Sequence, residues 1–154
     1  LLVLLEAEAR GIPGYSGVVQ RGLAWIQATV DTEGRAGYRR PGDHPHGSET
    51  LTAAVALCLA TRDHVPVALR QAMLDRVLAD AGMEPATMDF YRTYFQAAAL
   101  REAGLGQSPA LAELKARLAS AQEEAGSWAS DDPWARTGGR VYSTALAMLT
   151  LQGK

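Results

Sequence analysis

The run from Thr50 to Ala60, TLTAAVALCLA, has no polar side. Built as a helix, it gives water nothing to solvate at any turn, so protein must cover it all round. It is also far shorter than the roughly 20 apolar residues that span a bilayer. This one segment therefore requires a layered arrangement in which some helices are interior. Its alanines add a second condition, because small side chains let neighbouring helix backbones come close.

The remaining segments supply the cover. Residues 1–9, 88–100 and 141–151 are apolar in the same way, rich in Leu, Ala or aromatic groups. Segments 18–30, 67–79 and 110–122 are amphipathic instead. Val19, Leu23, Ile26 and Val30 share one face of the first; Leu69, Met73 and Val77 share one face of the second; Leu111, Leu114, Leu118 and Ala121 share one face of the third. Gly11, Pro13 and Gly14 punctuate the first junction, and the stretch DTEGRAGYRRPGDHPHG, 31–47, is too rich in Gly and Pro for regular structure. A Gly-, Asp- and Trp-rich connection runs from Glu124 to Gly139. Ser48 or Thr50, Asp89 and Ser108 are placed to open helices, with Pro109 in a first helical turn. The alternation predicts an all-α fold of paired-helix repeats: a partial α/α toroid of inner apolar and outer amphipathic helices, forming a single domain over residues 1–154.

A repeat is visible within the chain. Gly34 is matched by Gly126, 92 residues on, and the same offset pairs Thr52 with Thr144, Ala53 with Ala145, Leu57 with Leu149 and Leu59 with Leu151. The aromatic-rich helix at 88–100 falls near half that spacing, which gives a helix-pair unit of about 41 to 51 residues, within the range of helical repeat arrays. Gly34 and Gly126 are read as structural loop residues, and Gly126→Ala is expected to destabilise if the backbone there needs a positive φ.

Composition narrows the function. The chain has 154 residues, is 47% hydrophobic and 21% charged, and carries a formal net charge of -2, which describes a soluble globular protein. There is no basic stripe for nucleic acid, since Arg39 and Arg40 form only a pair. Cys58 is the sole cysteine, so no internal disulfide or Cys-based zinc motif exists and an oxidising compartment is not required. A soluble, cytoplasmic location is the expectation, with no membrane span. The chain begins without methionine in an apolar helical run and stops soon after another, so the expectation is a fragment of a longer toroid.

The segments AWIQATVDTEGRAGYRRPG with TLTAAVALCLA, and SAQEEAGSWASDDPWARTGGRVYSTALAMLTLQ, resemble the prenyltransferase and squalene-cyclase repeat group. Gln122, Gly126 and Trp128 are similar to the glutamine–tryptophan pattern of the cyclases, and DFYRTYFQAAAL resembles the aromatic inner helix of bacterial members of unassigned activity. The resemblance covers about Val18 to Gln152 and implies an α/α barrel whose ligand cavity is lined by inner helices and their loops. It also has departures. The cyclases' DxDD acid motif is represented only by Ser130-Asp131-Asp132-Pro133, which lacks the first aspartate and lies in another place. Where the prenyltransferase zinc histidine precedes a threonine, this chain has Ser143 before Thr144, so no metal site is implied. The Cys-Gly-Glu-Gln string of the thioester domains does not occur.

Several residues have the chemistry for a site. Tyr91, Tyr94 and Phe95 share one helix face and, with Tyr142, form either packed core or the aromatic wall of a concavity for an apolar or isoprenoid ligand. Asp131 and Asp132 are neighbouring carboxylates, read as exposed loop acids or, if buried, as an acid pair. Asp43, His44, His46 and Glu49 are the densest group of metal-ligand types, but they span a Gly/Pro loop and are read as solvated. His64 is read as capping a helix end. Trp25 and Trp128 are expected to lock outer helices and loops onto inner ones. No cofactor is expected. The expected function is a non-catalytic repeat domain acting as a binding or structural module, with self-association or contact with the rest of a longer protein. The alternative is a portion of a terpenoid-cyclase-like or prenyltransferase-like enzyme acting on a polyprenyl substrate.

Overall fold

The computed structural model describes residues 2–60, 62–63, 65–82, 88–129 and 134–152. Among them are seven helices: α1 (Leu2–Ala9), α2 (Ser16–Gln27), α3 (Glu49–Leu59), α4 (Val67–Gly82), α5 (Phe90–Glu102), α6 (Pro109–Ser120) and α7 (Ala135–Leu151). Local chemistry sets several of their starts. The Asp89 carboxylate accepts a hydrogen bond from the Arg92 amide at 2.9 Å, capping α5. The Ser108 hydroxyl accepts from the Leu111 amide at 3.4 Å, and Pro109 occupies the first position of α6. Ser48 precedes α3 but its side chain makes no capping bond; Glu49 supplies the negative charge in that first turn.

The fold is all-α and held by helix packing. α3 lies against α5, the most extensive helix–helix junction in the molecule; α5 lies against α7, and α4 against α6. No residue of α3 is exposed. Ala53 and Ala56 on α3 and Ala97 and Ala99 on α5 are fully buried, the small side chains expected where interior helices adjoin. α4 and α6 bury one stripe each, Met73, Val77 and Ala81 on the first and Leu111, Leu114 and Leu118 on the second. Cys58 is buried in the main core, and burial pushes its thiol up from the ordinary value.

The same hydrogen bonds occur twice along the chain. In the loop after α2, the Asp31 amide donates to the Arg35 carbonyl, the Gly34 amide to the Asp31 carbonyl, and the Ala36 amide to the Thr52 hydroxyl at 3.0 Å. In the loop after α6, the Glu123 amide donates to the Ser127 carbonyl, the Gly126 amide to the Glu123 carbonyl, and the Trp128 amide to the Thr144 hydroxyl at 3.3 Å. All three pairs are related by 92 residues. The turn that ends α1 is matched likewise by the turn that ends α5, one residue further along. Gly11 donates to the Glu8 carbonyl and Ile12 to that of Ala7; Gly104 donates to the Arg101 carbonyl and Leu105 to that of Leu100.

The apolar helix expected from Val141 follows a kink at Gly139, where φ is +60° and ψ is -163°, and a separate helical turn from Ala135 precedes it. Two expectations need correction. α7 has an uncovered apolar side, with Val141 82% exposed, and Val3 on α1 is 81% exposed; neither helix is enclosed as α3 is. Trp25 locks nothing, being 57% exposed, since Val19 and Leu23 turn inward on α2 and carry Trp25 to another face. Trp128 by contrast is buried, its indole Nε1 donating to the Leu118 carbonyl at 2.7 Å. That bond ties the loop after α6 back onto α6, inside a small core of Phe90, Leu118 and Ala147.

Gly34 and Gly126 have φ of +79° and +82°. A Cβ on Gly34 would lie 2.6 Å from the Ala72 carbonyl oxygen and the Met73 amide nitrogen of α4, whereas at Gly126 the nearest atom is Gln122 Nε2 at 3.9 Å. Gly126→Ala is expected to cost about 1–2 kcal/mol from the left-handed backbone alone. Gly34→Ala is expected to cost more, by about 1–3 kcal/mol of overpacking. Urea denaturation of the two variants checks the order.

The same loop makes a pH prediction. Partial burial opposes ionisation of Asp31, but hydrogen bonds from the Arg35 amide and guanidinium and from the Glu33 amide outweigh it, so its carboxyl titrates below the ordinary value. A carboxyl depressed in the folded state contributes stability that is present above its unfolded pKa and lost as pH falls through its folded pKa. Urea midpoints followed from neutral into acid pH should drop more steeply for the wild type than for Asp31→Asn.

Candidate functional site

The helices α3, α5 and α7 begin around one cleft of about 970 Å³. The loop before α3 contributes Tyr38, His46 and Gly47, and the first turn of α3 contributes Thr50 and Leu51. Asp89 and Tyr91 come from the start of α5, and Trp134, Thr137, Gly138 and Tyr142 from the start of α7. Tyr38 is held by its amide, which donates to the Asp43 carbonyl at 2.9 Å, and Asp43 is engaged by Arg39 at 3.1 Å. The break at Gly139 gives the first turn of α7 its own direction. Within that turn the Thr137 and Gly138 amides donate to the Trp134 carbonyl. Gly138 has no room for a side chain: a Cβ there would stand 2.5 Å from that of Tyr142, so the tyrosine packs against bare backbone.

The structure divides the aromatic residues singled out from the sequence. Tyr91 and Tyr142 face the cleft. Phe95 is buried in the main core and Tyr94 packs half-buried against it. Edge-to-face contacts join the two sets, with ring centroids 4.8 Å apart for Tyr91–Phe95 and 5.3 Å for Tyr94–Phe95. One helix face thus carries both core and cleft wall: Phe95 is 8% exposed and Tyr91 41%. Asp131, Asp132 and His64 lie outside the described residues. Of the Asp43, His44, His46 and Glu49 group only His46 reaches the cleft, and among the described residues no three His, Cys, Asp or Glu side chains converge as metal ligands.

Sequence reasoning misses Tyr38, His46, Asp89 and Trp134 as members of this wall. Tyr38 and His46 sit in the 31–47 loop, where no periodicity exists to orient them. Asp89 is legible as a cap, and it does cap α5 in the structure, its carboxylate engaged by the Arg92 amide at the mouth of the cleft. Trp134 follows the Asp131–Asp132 pair closely in sequence, and the carboxylates are the more conspicuous chemistry of that connection.

Core and wall aromatics should respond differently to truncation. Phe95→Ala is expected to cost about 3–5 kcal/mol of stability, the range for emptying a buried aromatic position. Tyr91→Ala, at a position 41% exposed, should cost less than Phe95→Ala. Chemical denaturation monitored by far-ultraviolet circular dichroism reads both values.

Among the described residues, no helix is long and apolar enough to cross a membrane. No family model, curated protein or solved structure matches the chain.

Proposed function

We propose that the chain is an arc of an α/α toroid, of the type found in the prenyltransferase and squalene-cyclase repeat group, acting as a non-catalytic module that binds an apolar, isoprenoid-like ligand. The arc has α1, α3, α5 and α7 as its inner row and α2, α4 and α6 as its outer row. Support for the repeat comes from the hydrogen bonds that recur 92 and 93 residues apart, and support for two rows from the packing of α3 on α5 on α7 and of α4 on α6.

The observation that carries the ligand reading is the cleft wall. Four aromatic side chains, Tyr38, Tyr91, Trp134 and Tyr142, surround a space of about 970 Å³, within the roughly 300–1,000 Å³ of small-molecule sites. Flat, apolar rings with few rotatable bonds suit an unsaturated hydrocarbon chain. The non-catalytic reading rests on Asp89, the one carboxylate of this wall among the described residues, which is committed to capping α5 rather than poised as an acid.

Trp134 is a built-in reporter. Titration with a polyprenyl alcohol or diphosphate should give a saturable change in tryptophan emission. The change should vanish in Trp134→Phe, which retains Trp25 and Trp128 outside the cleft. An unchanged wild-type spectrum up to the ligand's solubility limit would overturn the ligand reading.

A further inference from the structure

Two carboxylates stand at the cleft with no cation to neutralise them. Asp89 belongs to the wall, and its carboxylate accepts from the Arg92 amide. Glu49 opens α3, and its carboxylate stands against Gly47, another wall residue. Neither takes part in an ion pair among the described residues. Arg92 sends its side chain elsewhere, to a separate cavity that it lines with Asp80, Gln96 and Arg117. Arg39, beside Tyr38, is paired with Asp43. Among the described residues no Lys or Arg lines the wall, and His46 is its only basic side chain.

The sign of the field at the cleft follows from magnitudes. Three helices begin there, and each start carries about half a positive charge on its unpaired amides. A whole negative charge at Asp89 and another at Glu49 more than offset the starts of α5 and α3. The rings act in the same direction, because the face of an aromatic ring is electron-rich and draws a cation. A diphosphate entering this space meets two carboxylates and neither a guanidinium nor an ammonium among the described wall residues. An organic cation meets both attractions at once.

We propose that the cleft selects its ligand by charge, taking an amphiphile with an isoprenoid-like chain and an ammonium head group, with Asp89 as the residue that sets the preference. This rests on the reading of the cleft as a site for an apolar chain and adds the chemistry of the ligand's polar end. The rings hold the chain, and the head group lies toward the start of α5, where the carboxylate is. Capping does not compete with this role, since the Arg92 amide engages one carboxylate oxygen and leaves the charge in place.

Three ligands with the same geranyl chain test it: the trimethylammonium, the alcohol and the diphosphate, each titrated against Trp134 emission. The wild type should bind the ammonium about tenfold more tightly than the alcohol, and the diphosphate most weakly. Asparagine caps a helix as well as aspartate does. Asp89→Asn should therefore keep the wild-type melting transition, weaken the ammonium, strengthen the diphosphate and leave the alcohol unchanged. If Asp89→Asn lowers the melting transition, Glu49→Gln takes its place, with the same directions expected. Binding of the alcohol with no preference for the ammonium, or with the diphosphate tightest, overturns the charge selection and leaves the apolar site standing. An equal loss for all three ligands in the variant makes Asp89 structural only and overturns its role. Silence from all three overturns the ligand reading and this proposal with it.

Discussion

The enclosure of α3 is the constraint from which the other features follow. Its residues are buried or half-buried throughout, and α2, α4 and α5 all pack against it, with the small Ala53 and Ala56 fully buried in that packing. The one buried polar side chain in its middle turns, Thr52, is not left unsatisfied: its hydroxyl accepts from the Ala36 amide. That bond anchors the loop after α2 to the interior helix, and Gly34 can then press on the α4 backbone two residues earlier. The same loop continues to Tyr38, so the position of a cleft residue traces back to the hydrogen-bonding need of a buried threonine.

Much of this is legible because interior and surface helices leave different patterns. Continuous apolar runs mark the buried helices, and 3.6-residue periodicity marks α2, α4 and α6 with their inward faces. The recurrence of one loop turn is legible through Gly34 and Gly126, since both occupy left-handed backbone with the same hydrogen bonds around them. Composition fails where it cannot distinguish a covered helix from an uncovered one. The apolar residues of Val141–Leu151 invite the same reading as those of α3, yet Val141, Met148 and Leu149 are exposed there while no residue of α3 is. Trp25 misleads for a related reason: its size suggests an anchor, but Val19 and Leu23 already define the buried stripe of α2 and its position lies outside it.

The candidate site is only half legible. Tyr91 and Tyr142 lie on helices, where spacing fixes a face; Tyr38 and His46 lie in a loop, where it does not. Even on α5 spacing is insufficient. Tyr91 and Phe95 are one turn apart on one face and in ring contact, yet one is wall and the other core. The buried Phe90 beside Tyr91 shows that the first turn of α5 is not open as a whole.

The location of the cleft follows from the way the chain alternates. Each amphipathic helix returns the chain to the end at which the next apolar helix begins. The connections that lead into α3 and α7, residues 28–48 and 121–134, are long, whereas those that leave α1, α3 and α5, residues 10–15, 60–66 and 103–108, are short. Length is therefore concentrated at the end where α3, α5 and α7 start, and the tight turns lie at the other. Helix starts would by themselves favour an anion. Asp89 capping α5 and Glu49 in the first turn of α3 offset that field with negative charge, so the rings rather than the backbone dipoles set the character of the wall. Those long connections also carry packing: the Ala36 amide bonds the Thr52 hydroxyl of α3, Gly34 stands against the α4 backbone, and Trp128 is buried against α6. The cleft residues Tyr38 and Trp134 thus share their connections with residues that hold the fold together.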